Sequence, residues 1–376
     1  MKILQIITLA DCGGAQIHLL ELIKGLQNKL DFEVIVGEKG FLTDRLDELK
    51  IKYYIVNSLQ RELSLKQDYL AFQEIKNLIK TLKPDLIHCH SSKAGIIGRC
   101  VAFICKIPAV FTAHGWAFHP KVNLKSRLIA LLAECLAGLI SQKIICVSDF
   151  DYELALKTKL FPKTKLTTIH NGLAELDLNS YKNYEFRFTE PENNKSVKIL
   201  MAARFAEPKR QDLLILAFSE LIKKTNQNII LLLAGEGSQK SACKELAKSL
   251  NLSSHIHFLG EIYPIEPLIE KADIFCLISE REGLPISLLE AARQSKPLIA
   301  SAVGGIPEII ENQINGFLIN NNSLSELQNA LLNSLNNNLL IKMGHESRKI
   351  FDHKFTLKIM LKAVSQVYEQ LIPRTN

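Results

Sequence analysis

The sequence is poor in aromatics, at 7% of 376 residues, although hydrophobic residues make up 47% of it. Its core must therefore be built mainly from aliphatic side chains. Charged residues, at 23%, are at an ordinary globular level, which excludes disordered and fibrous classes. There is no CxxC pair among eight cysteines. Most sit inside apolar runs such as Ile144-Ile145-Cys146-Val147 and Ile274-Phe275-Cys276-Leu277, the setting of buried free thiols in a reducing compartment. There is no dense Lys/Arg run, zinc finger or RNA-recognition signature, so the net charge of +7 implies no nucleic acid. It leaves room for an anionic substrate or an acidic lipid surface. Long apolar runs are missing too. Leu128–Ile140 contains Glu134 and is too short to span a bilayer. The opening MKILQIITLA is followed by Asp11 and a glycine pair rather than a cleavage site, so a cytoplasmic protein, soluble or peripheral, is expected.

What is present is alternation. Apolar strand-like runs at 3–7, 32–36, 53–56, 85–89, 109–112 and 143–147 are separated by helix-period segments at 16–26, 70–82, 94–105 and 124–140. Near-continuous apolar strands interleaved with helices indicate a parallel sheet covered on both faces. Residues 174–196 are polar, contain Pro191, and read as a linker. Alternation then restarts, with strands at 197–203, 229–234, 256–259, 273–278 and 297–300, and helices at 211–223, 240–250, 286–293 and 306–311. The expected architecture is α/β with two Rossmann-like, doubly wound domains, 1–173 and 197–354, facing across a cleft. Ligands bind beyond the carboxyl ends of strands in such sheets. A helix-period tail follows from about Phe355 and belongs to 355–376.

Four groups of residues carry chemical signal. Gly13-Gly14-Ala15 lies between the first strand and a helix, where backbone can approach a ligand and a helix N-terminus favours negative charge. By itself it is also an ordinary tight turn. It is not a dinucleotide fingerprint, because the third glycine of GxGxxG is absent, as it is after Gly235-Glu236-Gly237; no GxxxxGK occurs. Arg204 and Lys209 share a strand-to-helix loop, as phosphate-gripping cations or as a solvated loop. In SEREGLPISLLEAARQ, Glu282 precedes a helix opened by Gly283, Leu284 and Pro285, and Glu290 lies about one turn inside it. A loop carboxylate can accept hydrogen bonds from sugar hydroxyls and a helical one can take a ribose diol. Either glutamate alone reads as a surface charge; the combination is more specific. His114-Gly115 follows one strand, and His90 and Lys93 follow another, at carboxyl ends.

Two patterns look like metal sites. Asp149-Phe150-Asp151 follows Val147-Ser148 and opens a helix, where acids suit the first turn. His88-Cys89-His90 and His255-Ile256-His257 are HxH spacings on strands without a matching carboxylate or cysteine cluster, so zinc is not expected.

Taken together, the chain resembles the GT4 family of retaining glycosyltransferases (glycosyl transferases group 1) with the GT-B fold, nearly end to end. The resemblance rests on Gly13-Gly14-Ala15, HSSKAG at 90–95, His114-Gly115, Val147-Ser148, Asn171-Gly172, Arg204 with Lys209, AGEG at 234–237, FLG at 258–260, Ala272-Asp273, EGLPISLLEA and SAVGGIPEII at 301–310. It implies a nucleotide-sugar donor, with a UDP-sugar commonest. Arg204 and Lys209 would face the diphosphate, Glu282 the sugar hydroxyls, and Glu290 the ribose. Gly13 and Gly14 would approach the donor from the other domain, and His114 would contact the sugar near its anomeric carbon. It implies retention, no cofactor and no metal, and a tail helix packed back on the first domain. One departure is the loop Ala206-Glu207-Pro208-Lys209-Arg210, which lacks the usual glycine and lets Arg210 share the phosphate role.

HSSKAG and HGWAFHP resemble bacterial enzymes of surface polysaccharide or lipid-linked oligosaccharide synthesis, which implies a glycan or polyprenyl-linked acceptor, with Lys93 and His90 as acceptor-side candidates. Residues 121–165 hold eight Lys/Arg against four acids beside an apolar helix. That suits peripheral contact with an anionic membrane, or a solvated basic face. Two other readings are a nucleotide-sugar 2-epimerase on the same architecture, told apart by its product, and a two-lobed sugar sensor, which would need an export signal or a DNA-reading module.

Overall fold

A computed structural model describes residues 1–177, 181 and 196–372. The chain divides into two compact units, Met1–Ala174 with Thr356–Asn376, and Glu175–Phe355. Most of the polar segment 174–196 lies outside the described residues.

The first unit alternates β1 (Lys2–Ile7), α1 (Gly14–Leu26), β2 (Asp31–Val36), α2 (Phe41–Glu48), β3 (Lys52–Ile55), α3 (Leu65–Leu82), β4 (Leu86–His90), α4 (Ser92–Cys105), β5 (Ala109–Ala113), α5 (Leu124–Ile140), β6 (Lys143–Cys146), α6 (Asp149–Lys157) and β7 (Leu166–Thr168). Its seven strands are parallel, in the order β3-β2-β1-β4-β5-β6-β7. β4 and β5 are buried at every position, as strands covered on both faces must be. One face packs on α3, α4 and α5 through Ile75, Val101, Phe111 and Trp116, the other on α1 and α2 through Leu19, Ile23 and Leu46.

The second unit repeats the plan with β8 (Val197–Ala202), α7 (Gln211–Lys224), β9 (Ile229–Ala234), α8 (Lys240–Ser249), β10 (Ile256–Gly260), α9 (Glu266–Lys271), β11 (Ile274–Leu277), α10 (Ile286–Arg293), β12 (Leu298–Ser301), α11 (Ile306–Ile309), β13 (Gly316–Ile319), α12 (Leu324–Asn333) and α13 (Asn337–Lys354). The order is β10-β9-β8-β11-β12-β13, again all parallel. The last helix, α14 (Leu357–Leu371), belongs to the first unit: Met360, Val364, Val367 and Tyr368 fill its α1-side core.

Several elements go beyond the sequence reading. β7 and β13 have three and four residues, too short to display a period. α2, α9, α12 and α13 are also additional. The last two run through an asparagine-rich stretch of weak intrinsic helix preference. Side-chain caps from Ser323 and Asn336 help start them.

Candidate active site

In each unit the sheet order reverses between two neighbouring strands, β1 and β4 in the first and β8 and β11 in the second. Loops diverge beyond the carboxyl ends of such a pair and leave a crevice. The candidate residues collect at these two places.

In the second unit, the loop after β8 is laced to the loop after β11. Arg210 N donates to Ile278 O at 2.9 Å, Glu280 N to Pro208 O at 2.9 Å, and Lys209 forms a bridge with Ser279. This lacing brings two residues 73 positions apart together: the Lys209 Nζ forms an ion pair with the Glu282 carboxylate. Both are largely shielded, at 18% and 11% side-chain exposure. The predicted phosphate cation and the predicted sugar carboxylate are thus one another's partners here. Arg204 is exposed on the same loop. Its backbone is held from the far side: Phe205 N donates to Glu236 O, Gln239 N to Phe205 O, and the Gln211 amide to the carbonyls of Ala203 and Arg204. Gly237 sits at φ +148° directly against the Phe205 carbonyl, so the AGEG turn is glycine-rich because it must lie on the Arg204 loop.

Arg210 has another task. Its guanidinium grips Asp212 through Nε and Nη2 at 2.9 and 2.8 Å and reaches Glu280 at 3.2 Å. These carboxylates raise its pKa, and it is occupied within the loop rather than beside Lys209. Beyond Glu282, Gly283 and Leu284 are buried, Pro285 caps α10 in an extended conformation, and Glu290 is nine-tenths buried on that helix. The helix opens with backbone N–H groups that have no intrahelical acceptor. SAVGGIPEII, a motif without an assigned role in the sequence, supports this stretch. Gly305 N donates to Gly283 O at 2.7 Å, and Gly304, at φ +57°, leaves no room for a Cβ against the Glu282 carbonyl.

In the first unit, Gly13 caps α1 and Gly14 begins it. His18, one turn on, is buried, as are His88 and His90 at the end of β4, while His114 after β5 is partly exposed. Tyr368 of α14 meets His88 Nδ1 at 2.6 Å, His88 Nε2 meets Thr112 Oγ1 at 2.7 Å, and His90 Nε2 meets Gln5 Oε1 at 2.8 Å. His90 Nδ1 lies 3.1 Å from His114 Nε2. Burial pushes the His18 pKa down to about 4 and holds His88, His90 and His114 well below the usual imidazole range, so the rings are neutral near pH 7. Both ring nitrogens of His90 have partners within this unit, Gln5 and His114. Lys93 is also held, donating to Asp68 at 2.6 Å and to the Glu62 carbonyl. His18 and Gln5 carried no sequence signal, each being one polar residue in an apolar segment, and Asn171 entered only through the Asn171-Gly172 pair; folding gathers the three.

Asp149 and Asp151 lie in the first turn of α6 after its cap Ser148, whose hydroxyl accepts from Asp151 N and donates to the Asp151 carboxylate. The DxD is a helix start. His255 instead bonds the Ile229 carbonyl. None of the eight cysteines forms a disulfide.

One surface stands apart. On α5, Leu124, Leu128, Ile129, Leu132, Leu136 and Leu139 are each 52–68% exposed, while its buried positions are Glu134, Cys135, Ala137 and Gly138. Phe103 and Ile104 of α4 are exposed as well, and Lys121 and Lys125 lie near the start of α5. Scattered exposed apolar side chains are ordinary, but a row of six on one helix marks an interaction surface. Among the described residues, no helix is long and apolar enough to cross a membrane.

Comparison with known proteins identifies the family and the fold. Residues 12–174 match the family described as Glycosyltransferase Family 4, and residues 183–352 match Glycosyl transferases group 1. An Escherichia coli relative named UDP-Gal:alpha-D-GlcNAc-diphosphoundecaprenol alpha-1,3-galactosyltransferase is 26% identical over 380 residues, covering 95% of this chain and 97% of that protein. A Staphylococcus aureus relative, the capsular polysaccharide biosynthesis glycosyltransferase CapH, is 26% identical over 81% of this chain and 82% of its own length. The crystal structure of Anabaena HepE in complex with UDP-glucose superposes with a TM-score of 0.82 at 21% identity, covering 98% of this chain and 100% of that one. The two parallel-sheet units are those of the GT-B fold. The chain belongs to the glycosyltransferases that join a Glycosyltransferase Family 4 domain to a Glycosyl transferases group 1 domain.

Proposed function

We propose that the enzyme transfers a hexose from a UDP-sugar to a glycan or polyprenyl-linked acceptor, with retention of anomeric configuration, in bacterial surface polysaccharide or glycoconjugate synthesis. The observation that carries this is the Lys209–Glu282 pair beside the start of α10, with Glu290 farther along the helix. It sets a cation for a diphosphate next to a carboxylate for sugar hydroxyls. Donor binding would open the pair: Lys209 and Arg204 turn to the diphosphate, Glu282 accepts hydrogen bonds from the hexose, and Glu290 holds the ribose. The first turn of α10 adds fixed N–H dipoles. Gly13, Gly14 and His114 are the first unit's contribution toward the donor.

In the reaction the bond from the anomeric carbon to the diphosphate oxygen breaks, and the acceptor oxygen bonds to the same face. The acceptor proton passes to a phosphate oxygen of the leaving UDP. Fixed cations and dipoles stabilise the charge that develops on that leaving group. Lys209 and Arg204 supply the positive charge at the diphosphate in place of a metal ion. Donor and acceptor classes are supported by the E. coli relative's name, which specifies UDP-Gal and a diphosphoundecaprenol-linked sugar, and by the UDP-glucose in the HepE structure.

The exposed row on α5 supports a second part of the proposal: the protein docks peripherally on the cytoplasmic face of an anionic membrane, where a lipid-linked acceptor resides. Apolar side chains enter the interface while Lys121 and Lys125 meet lipid phosphates.

A turnover screen of UDP-, GDP- and ADP-sugars against a polyprenyl-diphosphate-linked sugar tests the first part. A new glycoside with the donor's anomeric configuration, plus free UDP, is expected. An epimerised nucleotide sugar without acceptor, or an inverted product, would overturn it. Co-sedimentation with vesicles containing anionic lipid tests the second. Binding should weaken in Leu132→Asp/Leu136→Asp, and no binding of the wild type at low salt would refute docking.

A further inference from the structure

Among the described residues, the second unit holds a partly buried arginine with no anion of its own. Arg210, Arg293 and Arg348 are partly or wholly buried, and each has a carboxylate: Asp212 and Glu280 for Arg210, Glu266 for Arg293, Glu175 and Asp352 for Arg348. Arg281 is partly buried too, yet its side chain makes neither an ion pair nor a hydrogen bond among the described residues. The acids beside it in the chain are committed elsewhere. Glu280 reaches Arg210 at 3.2 Å, and Glu282 pairs with Lys209. In Glu280-Arg281-Glu282 both carboxylates serve cations of the loop after β8, and the guanidinium between them is left over. A partly covered guanidinium without a countercharge loses hydration and gains nothing in return, and it cannot shed its proton to escape that cost. An arginine kept in this state suits an anion that arrives with a ligand.

Its place in the fold selects the anion. Arg281 follows β11, one of the two strands between which the order of this sheet reverses, in the loop laced to the loop after β8. Glu282 is the next residue, and α10 opens at Ile286. A guanidinium presents parallel N–H donors in a planar fork, which matches two oxygens of one phosphate. We infer that Arg281 binds a phosphate group of a reacting substrate, as a third cation beside Arg204 and Lys209. The share of phosphate binding that the sequence allowed to Arg210 falls to Arg281, because Asp212 and Glu280 already fill the Arg210 fork. The inference rests on the transferase reading for the source of the phosphate, which is the diphosphate of the nucleotide-sugar or that of a polyprenyl-linked acceptor.

Calorimetry and initial rates on the full chain test this with Arg281→Ala, Arg281→Lys and, as an equal charge change on the exposed side of α7, Lys223→Ala. The probes are inorganic diphosphate, UDP and uridine, then a polyprenyl-diphosphate-linked sugar and the same sugar as an alkyl glycoside. With the donor's diphosphate as partner, Arg281→Ala weakens UDP and inorganic diphosphate about 10- to 100-fold and leaves uridine unchanged. With the acceptor's diphosphate as partner, it raises KM about 10- to 100-fold for the diphosphate-linked acceptor alone and leaves UDP unchanged. Arg281→Lys keeps the charge but loses the fork, and should fall between wild type and Arg281→Ala. Lys223→Ala should bind as the wild type does, and no variant should shift the thermal melt. Unchanged UDP affinity together with unchanged acceptor KM in Arg281→Ala would overturn the inference and leave the transferase reading standing. Equal weakening of UDP and uridine, or of both acceptors, would also overturn it, as the mark of a distorted loop. Arg281-dependent binding of inorganic diphosphate by a protein that transfers nothing from any nucleotide-sugar would keep Arg281 as a phosphate-binding residue and sink the transferase reading instead.

Discussion

Cutting the buried ion pair Arg99–Glu134 should be among the most destabilising single changes in the first unit. Arg99 on α4 and Glu134 on α5 meet at 2.5 Å with side chains 0% and 1% exposed. The guanidinium also donates to the Gly95 carbonyl at 2.6 Å and lies 4.1 Å from the Phe111 ring centroid. Glu134→Gln removes the countercharge and leaves a guanidinium with no water and no anion. Breaking such a pair from one side costs roughly 3–5 kcal/mol, because the remaining charge stays desolvated. At a urea slope of roughly 2–3 kcal/mol/M, the midpoint falls by about 1–2 M. The reporter is built in: the chain has one tryptophan, Trp116, buried against Phe118 and Phe161 in the same core cluster. Replacing both partners by apolar residues, Arg99→Met/Glu134→Leu, should recover most of the loss, to within about 1–2 kcal/mol of wild type. A single variant costing under about 1 kcal/mol, or a double variant costing the sum of the two singles, would refute the reasoning. The pair also joins α4 and α5, the helices that carry Phe103, Ile104 and the leucine row, so a loosened pair should weaken vesicle binding too.

Three other outcomes are expected. Glu282→Ala and Lys209→Ala should each lower kcat/KM by about 100-fold or more, and only Lys209→Ala should also weaken UDP measured by calorimetry. Gly304→Ala puts a side chain into the Glu282 carbonyl at a left-handed φ; it should cost about 1–3 kcal/mol in a thermal melt and reduce turnover by displacing Glu282. Burial pushes Cys89 up to about 12 and Cys243 up to about 11, and drives Cys146 and Cys276 higher still. A raised pKa keeps these groups as thiols at pH 8. Iodoacetamide should therefore modify only the partly exposed Cys12, Cys100 and Cys105 in the native protein by mass spectrometry, and all eight in urea. Fast labelling of Cys89 would contradict its burial.

The sequence by itself determined the alternation of strand and helix, the two parallel sheets and the opening of α10. These follow from local periodicity and from residues close together in the chain: apolar runs make buried parallel strands, and Pro285 suits the start of a helix whose interior it could not occupy. Even α5 was legible to the residue at both ends. Which side of α5 faces outward was not legible. A helix with a small-residue stripe and a leucine stripe has two candidate inner faces, and only the packing of Glu134, Cys135, Ala137 and Gly138 inward decided it. The candidate site shows the same division. Glu282 and Lys209 could each be named from their loops, but that they meet depended on β8 lying beside β11. His18, His90 and His114 come from α1, β4 and the turn after β5. Read along the chain they are isolated histidines, and the His88–His90 spacing on one strand brought no third partner with it. The parallel order β1-β4-β5 stacks their ends, with Asn171 beside His18 and Gln5 beside His90, so the cluster is a product of the tertiary structure alone.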